Sequence, residues 1–260
     1  MSGYHRRASF YRSEFAVRDD FLLLGQLLAG EDGLVIDIPS GAGRLLPLHQ
    51  AHRRDVIMVD IEPAMTEQCR RGAEDYGIAG RVTAVRGDIA TWQPPRPAAR
   101  VIVARGGLQI LPSREAVMQA LTVSAASLAV GGILYLDVAM PWTAAPGNAG
   151  DLAPFLRFAR TTRLEGRTVI DAGGRKILRS YTSTLEPDRV AVTFRYQASI
   201  DEAGDWEDFE TKSSWLRIDT DSVLSILRDS NLNVVSLLGD YVGTAYHSRS
   251  ARCICIAAAQ

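Results

Sequence analysis

Apolar positions in the first half of the chain fall into short runs separated by loops. Leu34-Val35-Ile36 ends at Asp37, and Pro39, Ser40, Gly41 and Gly43 follow at once. That is the pattern of a buried strand passing into a tight loop. Further strands are expected at 56–59, 82–85, 101–104 and 133–138, the last after Gly131-Gly132, read as a turn. Helices are expected at 21–29, from Arg44 onward with Leu45, Leu46 and Leu48 for packing, at 64–76 with Gly77 as the stop, and at 112–128. Strands alternating with helices imply parallel βαβ units.

The pattern changes after residue 140. Residues 141–150 are rich in Pro, Gly and Ala and read as a loop. Extended stretches then run over 167–171, 177–185, 189–200 and 210–218, with Gly173-Gly174, Pro187-Asp188 and Ala203-Gly204 at the joints. This predicts an antiparallel meander inserted into the α/β pattern, which resumes with a helix at 221–229 and strands at 234–238 and 253–258. Asp219, Thr220 and Asp221 are the N-cap candidates of that helix. The expected organisation is an N-terminal arm or lid (1–20) lacking a clear helical period, an α/β domain (21–140 and 219–260), and an inserted β unit (141–218).

With 260 residues and a net charge of −1, the chain can bury a full core and offers no extended surface for a polyanion. Nucleic acid is therefore not an expected partner. No apolar run approaches a membrane span and the N-terminus lacks an apolar segment, so a cytoplasmic protein is expected. Three cysteines make no disulfide framework. Cys253 and Cys255, spaced C-x-C, are expected as buried thiols on opposite faces of a strand. No C-x-x-C or H-x-x-x-H spacing suggests a metal.

The strongest chemical signal is Asp37-Ile38-Pro39-Ser40-Gly41-Ala42-Gly43, at a strand-to-helix turn. Glycines there allow close backbone approach to a ligand, and a helix start offers free N–H groups. A plain turn is the alternative. Asp60 lies at the end of the second strand, where an acid can accept from ribose hydroxyls, and Asp88 follows the third, within reach of an adenine amine. The third glycine of a dinucleotide loop is missing. Asp37 would repel a pyrophosphate but can accept from an ammonium, such as that of S-adenosylmethionine.

On these residues the chain resembles the class I S-adenosylmethionine-dependent methyltransferases over roughly 10–140 and 219–260. The family's first motif matches Asp37 to Gly43, its ribose acid Asp60, and its adenine-side acid Asp88 with Ile89 beside it. The loop after its fourth strand matches residues 104–109, and its paired glycines before the fifth strand match Gly131-Gly132. Pro39-Ser40 departs from the common Gly-Cys or Gly-Ser. The resemblance implies a Rossmann-like doubly wound α/β fold with a seven-stranded sheet, its last strand antiparallel. It also implies S-adenosylmethionine as cofactor, held by Asp37, Pro39, Gly41, Gly43, Asp60, Ile61, Met65, Asp88, Ile89 and Arg105. The inserted meander is similar in layout to glycine N-methyltransferase-like and amino-sugar N-methyltransferases, which act on small molecules, often in antibiotic biosynthesis.

Methyl transfer from a sulfonium is an in-line displacement, so alignment and exclusion of water matter most. A neutral amine needs no strong base, whereas a hydroxyl does. His49 and His52 are expected on the surface of the helix after the glycine loop, His247 lies remote in a loop, and His5 is the one plausible base. The balance favours an amine acceptor; oxygen or carbon methylation and a non-catalytic partner subunit are the alternatives. Substrate candidates are Tyr11 and Phe15 on the arm, Arg105 and Gln109 after the fourth strand, and Trp142 after the fifth. Arg179, Tyr181 and Ser183 are expected to share one face of the meander. Arg105 has a structural ion pair as its alternative role. A homo-oligomer through the meander is expected.

Overall fold

The computed structural model describes residues 3–30, 33–140, 142, 167–170, 176–199 and 206–260. Eleven strands form among them: β1 (Val35–Asp37), β2 (Val56–Asp60), β3 (Val82–Arg86), β4 (Ala98–Val103), β5 (Leu128–Ala139), β6 (Arg167–Ile170), β7 (Lys176–Leu185), β8 (Arg189–Ser199), β9 (Trp206–Leu216), β10 (Leu232–Leu238) and β11 (Arg252–Ala259). Helices are α1 (Gly3–Glu14), α2 (Phe21–Leu28), α3 (Leu46–His52), α4 (Pro63–Asp75), α5 (Arg114–Ala126) and α6 (Thr220–Asp229).

The large sheet runs β10-β11-β5-β4-β1-β2-β3. All its pairings are parallel except those of β11, which is antiparallel to both neighbours. Strand order reverses at β1 and β4, and such a switch point opens a crevice at the carboxyl ends of the strands. Side chains alternate between two cores. Ile36, Val101, Val103, Leu134 and Leu136 pack under α5 and α6, while Val35, Met58, Ile102 and Ile254 pack under α2, α3 and α4.

Four expectations change. Gly131 and Gly132 do not precede β5 but lie inside it, in a local shift of register against β4 where Gly131 adopts φ +72°. Cys253 and Cys255 share one face, their sulfurs 3.7 Å apart, because residues two apart on a strand project the same way. The helix after the glycine loop starts at Leu46, not Arg44, since turn residues occupy the interval. The N-terminal arm is the helix α1.

The inserted unit is a four-stranded antiparallel sheet, β6-β7-β8-β9. Its inner face is rich in rings and hydroxyls: Tyr181 pairs across to Phe194 and then Thr211, and Ser183 to Val192 and then Ser213. The loop 141–150, apart from Trp142, and the joints Gly173-Gly174 and Ala203-Gly204 lie outside the described residues. Phe10 of α1 enters the core of this small sheet beside Tyr181, Phe194 and Tyr196, while Ala8 packs on Ala42 and Met65 of the large domain. No helix among the described residues is long and apolar enough to cross a membrane.

Candidate active site

Asp37 and Asp60 end β1 and β2, next to the glycine loop. Gly41 and Gly43 have φ of +54° and +83°, in the left-handed region that suits glycine. A side chain at Gly43 would also strike Leu46, whose Cδ1 stands 2.6 Å from the position of a Cβ. The Gly41 N–H donates to Asp60 Oδ2 and the Glu62 N–H to Asp60 Oδ1, each at 2.9 Å. These bonds aim the carboxylate and leave its remaining lone pairs for hydroxyl donors. Burial pushes the Asp60 pKa up to about 6, against the pull of those two N–H bonds, and the nearby charges of Glu62 and Asp37 add to the rise.

Asp37 is buried, and its Oδ2 has no hydrogen-bond partner. A buried carboxylate oxygen without a donor is costly in a folded protein, and the carboxylate's other oxygen can accept from an arriving ammonium. Bare glycines, an aimed acid at Asp60 and an unsatisfied acid at Asp37 therefore fit an adenosyl group bearing an amino-acid arm. Met65 is buried in the first turn of α4, and Ile61 lies exposed just after β2. Asp88 is exposed and caps its own turn by accepting from the Ala90 N–H at 2.9 Å, with Ile89 buried beside it. Pro39, joined to Ile38 by a cis peptide, packs its ring against Gly107.

The helix α1 lies across the glycine loop. Tyr11 places ring atoms 3.3 Å from where a Cβ of Gly41 would stand. Tyr11 also meets Tyr4 and Phe15, with ring centroids at 6.0 and 4.7 Å. On its other side α1 carries Arg7 and Glu14, respectively 3% and 0% exposed. Glu14 accepts from Arg7 Nη2 at 3.1 Å, from Arg179 Nη1 at 2.8 Å and from the Tyr196 hydroxyl at 2.8 Å. Rings of Tyr4, Tyr11, Phe15, Phe194 and Tyr196 stand around the Arg7 guanidinium, 4.7–5.5 Å from its carbon. Arg7 and Glu14 escape detection in the sequence because buried, mutually paired charges look like a solvated face.

Two sequence candidates have structural work instead. Gln109 is buried; its Nε2 donates to the carbonyls of Ala139 and Leu216 at 2.9 and 3.0 Å, and its Oε1 accepts from the Ala139 N–H at 2.8 Å. Both side-chain polar atoms of Gln109 are thus engaged by backbone. Arg105 pairs with Asp19 and, at 3.4 Å, with Asp20, so the ion-pair alternative describes it in this structure. Asp20 is also gripped by both terminal nitrogens of Arg44, at 2.7 and 2.6 Å. Burial opposes the charge of Asp20, but Arg44, and then Arg105, hold its pKa below the usual value.

Trp142 is half-buried where the cores of the large domain and the insert meet, with the Arg217 guanidinium over its ring at 5.5 Å. Arg179, Tyr181 and Ser183 do share the inner face of β7. There Ser183 Oγ and Thr211 Oγ1 are buried without a hydrogen-bond partner. His5 is half-exposed and lies 4.0 Å from Glu62. His52 packs against the Gly25 turn of α2, and His247 accepts from the Arg249 N–H in a loop. His49 overturns the expectation of a surface residue: it is fully buried, its Nε2 3.9 Å from Asp37 Oδ2, because it lies on the face of α3 that packs on the sheet.

Comparison with known proteins now meets this geometry. A family model described as a methyltransferase domain matches residues 35–132. The match spans β1, the glycine loop, Asp60, Asp88 and the register shift of β5. Similar solved structures include an S-adenosylmethionine-dependent methyltransferase from Clostridium acetobutylicum, at 12% identity and TM-score 0.73, covering 98% of this chain and 96% of that one. CalS10, an amino pentose methyltransferase from Micromonospora echinaspora solved with S-adenosylmethionine bound, shares 18% identity at TM-score 0.66, covering 96% and 92%. The sugar N-methyltransferase KedS8 from a Streptoalloteichus species shares 18% at TM-score 0.71, covering 96% and 91%. The likeness runs through the insert and α1 as well as the methyltransferase domain, so the whole layout is shared fold. No curated protein matches the sequence.

Proposed function

We propose that this S-adenosylmethionine-dependent methyltransferase acts on an amine of a small, hydroxyl-rich acceptor such as an amino sugar. One observation carries the choice of atom. Among the described residues, the surfaces that α1 and the insert turn toward each other present Arg7, Glu14, Arg179, Tyr181, Ser183, Tyr196 and Thr211, but no histidine or lysine. Lys176 and Lys212 are exposed on the far side of the small sheet. A neutral amine brings its own lone pair, so a site whose one carboxylate, Glu14, is already taken by two guanidiniums and a phenol suits it. The buried, unpartnered hydroxyls of Ser183 and Thr211 suit an acceptor with several donors and acceptors of its own. CalS10 and KedS8, which share the layout, are an amino pentose methyltransferase and a sugar N-methyltransferase.

When bound, the cofactor supplies a methyl group activated by positive sulfur. The amine lone pair forms the new C–N bond as the C–S bond breaks, the electron pair stays on sulfur, and the ammonium product loses its proton to water. The protein's part is alignment and dryness. Asp60 and the glycine loop fix the adenosyl end, Asp37 the amino-acid end, and Tyr11 with α1 closes the roof. Residues 1–20 act here as a lid, residues 141–218 as the acceptor-binding insert. A homodimer through the exposed edge strand β9 belongs to the same reading, because an unpaired edge invites pairing; light scattering across the micromolar range tests it, and a monomer would remove it.

The deciding experiment offers the purified enzyme S-adenosylmethionine with matched pairs of acceptors, each amino sugar beside its hydroxyl analogue. S-adenosylhomocysteine and an N-methyl product should form from the amine alone. Turnover confined to the hydroxyl partner would replace this reading with oxygen methylation.

A further inference from the structure

Behind Asp37 lie polar atoms that the proposed reaction does not use. His49 is 0% exposed, and neither ring nitrogen has a hydrogen-bond partner. The other buried side chains of its helix are Leu46 and Leu48, and the sheet face beneath is lined by Val35, Met58 and Ile102. A leucine or alanine would fill such a place without burying two unsatisfied nitrogens. The nearest oppositely charged group is Asp37, whose Oδ2 is itself without a partner and lies 3.9 Å from His49 Nε2. Two titratable groups of neighbouring elements feel the charge of Asp37, namely Asp60 ending β2 and Cys69 on α4, and both are acids. His49 is the group placed to donate.

We propose that His49 is a positioning residue for Asp37 and so sets how tightly the site grips the ammonium-bearing arm of the cofactor. The inference rests on the reading of this site as an S-adenosylmethionine site. A neutral imidazole donates from one nitrogen only. With the proton on Nε2, a shift of about 1 Å completes an N–H···Oδ2 bond. That bond fixes the carboxylate and commits one oxygen, leaving the other for the cofactor's ammonium. It also stabilises the charged form of Asp37, which an ammonium requires. Nothing in this arrangement touches the adenosine end, where Asp60 is aimed by the backbone of Gly41 and Glu62.

The test compares two ligands that differ only in this arm: S-adenosylhomocysteine, and 5′-methylthioadenosine, which has no amino-acid group. Calorimetry should show both binding the wild type. In His49→Leu, the dissociation constant for S-adenosylhomocysteine should rise about tenfold, the scale of a hydrogen bond to a charged group, with methylthioadenosine changed less than about twofold. His49→Gln, whose amide nitrogen reaches the place of Nε2, should restore the wild-type ratio of the two affinities, and the shorter His49→Asn should not. If the leucine variant does not fold, the glutamine and asparagine variants alone decide. A folded variant that weakens both ligands equally, or neither, would overturn the positioning role and leave the cofactor reading standing. Failure of the wild type to bind either ligand would overturn the cofactor reading itself, and the inference with it.

Discussion

The two sides of α1 are held by different physics. Toward the inserted sheet the helix is fastened by a buried carboxylate with two guanidiniums and a phenol on it, and by Phe10 inside the small core. Toward the glycine loop and α4 it makes ring contacts through Tyr4 and Tyr11, a 3.1 Å bond from Arg12 to the Gln68 carbonyl, a part-exposed 3.8 Å ion pair of Arg12 with Asp75, and the long His5–Glu62 approach. Buried charged hydrogen bonds are directional and fail if shifted, whereas aromatic packing tolerates sliding and exchange. The difference teaches where a single substitution should cost most, at the buried carboxylate and not at the rings. Under the proposed lid role of residues 1–20, the glycine loop is the boundary expected to open.

Breaking the strong side should have the largest effect. Glu14→Ala leaves Arg7 and Arg179 buried without their carboxylate, and a loss of about 3–5 kcal/mol in unfolding free energy is expected by chemical denaturation. A loss under about 1 kcal/mol would mean that the two guanidiniums find other partners or water, and the contrast between the two sides would collapse. Next in size, Asp60→Ala should weaken S-adenosylhomocysteine binding by about 1.5–3 kcal/mol, read by calorimetry, with the attachment of α1 to the insert intact.

A pH series sharpens the same boundary. The Asp60 carboxyl has its pKa raised to about 6 by burial, so the ligand-free fold favours its neutral form. Ribose hydroxyls bind the ionised form, and affinity should therefore fall as pH drops through 6, by about tenfold per unit once the neutral form dominates. In the ligand-free protein the sign is opposite: this one group adds stability as pH falls through 6 and withdraws it as pH rises. Affinity that is flat from pH 7 to 5 would place the ribose elsewhere. The smallest effect belongs to Arg6→Ala, which removes an exposed pair with Glu207 and should cost less than about 1 kcal/mol even though it lies on the strong side. A larger loss would show that exposed charges also fasten the helix.

The glycine loop and the acids that end β1 and β2 were legible because such residues announce themselves by type and place. Glycines with positive φ and acids at strand ends need no tertiary knowledge to be recognised. The meander was legible from extended stretches with turn residues at their joints, with ends within a residue of β7 and β8. What stayed hidden shares one cause, polar residues buried through partners distant in sequence. Arg7, Glu14 and Arg179 satisfy one another across a separation of 165 residues between Glu14 and Arg179. Tyr4, Ala8, Tyr11 and Phe15 do follow a helical period, but the buried charges between them disguise it. His49 reads as a surface residue until α3 is laid on the sheet. Gln109 fails in the opposite direction, since a polar residue in a ligand-facing loop looks functional until its amide is seen to be consumed by backbone.

That amide has a consequence beyond packing. Gln109 joins the carbonyl of Ala139, where the chain leaves the large sheet, to the carbonyl of Leu216, where it returns, and its own carbonyl accepts from the Leu216 N–H at 2.7 Å. Departure and return are thereby stapled at one point. An excursion whose two ends meet can be lengthened, shortened or replaced without straining its host. Replacing residues 140–215, together with the α1 that Arg179 and Tyr196 hold, should therefore leave the large sheet folded.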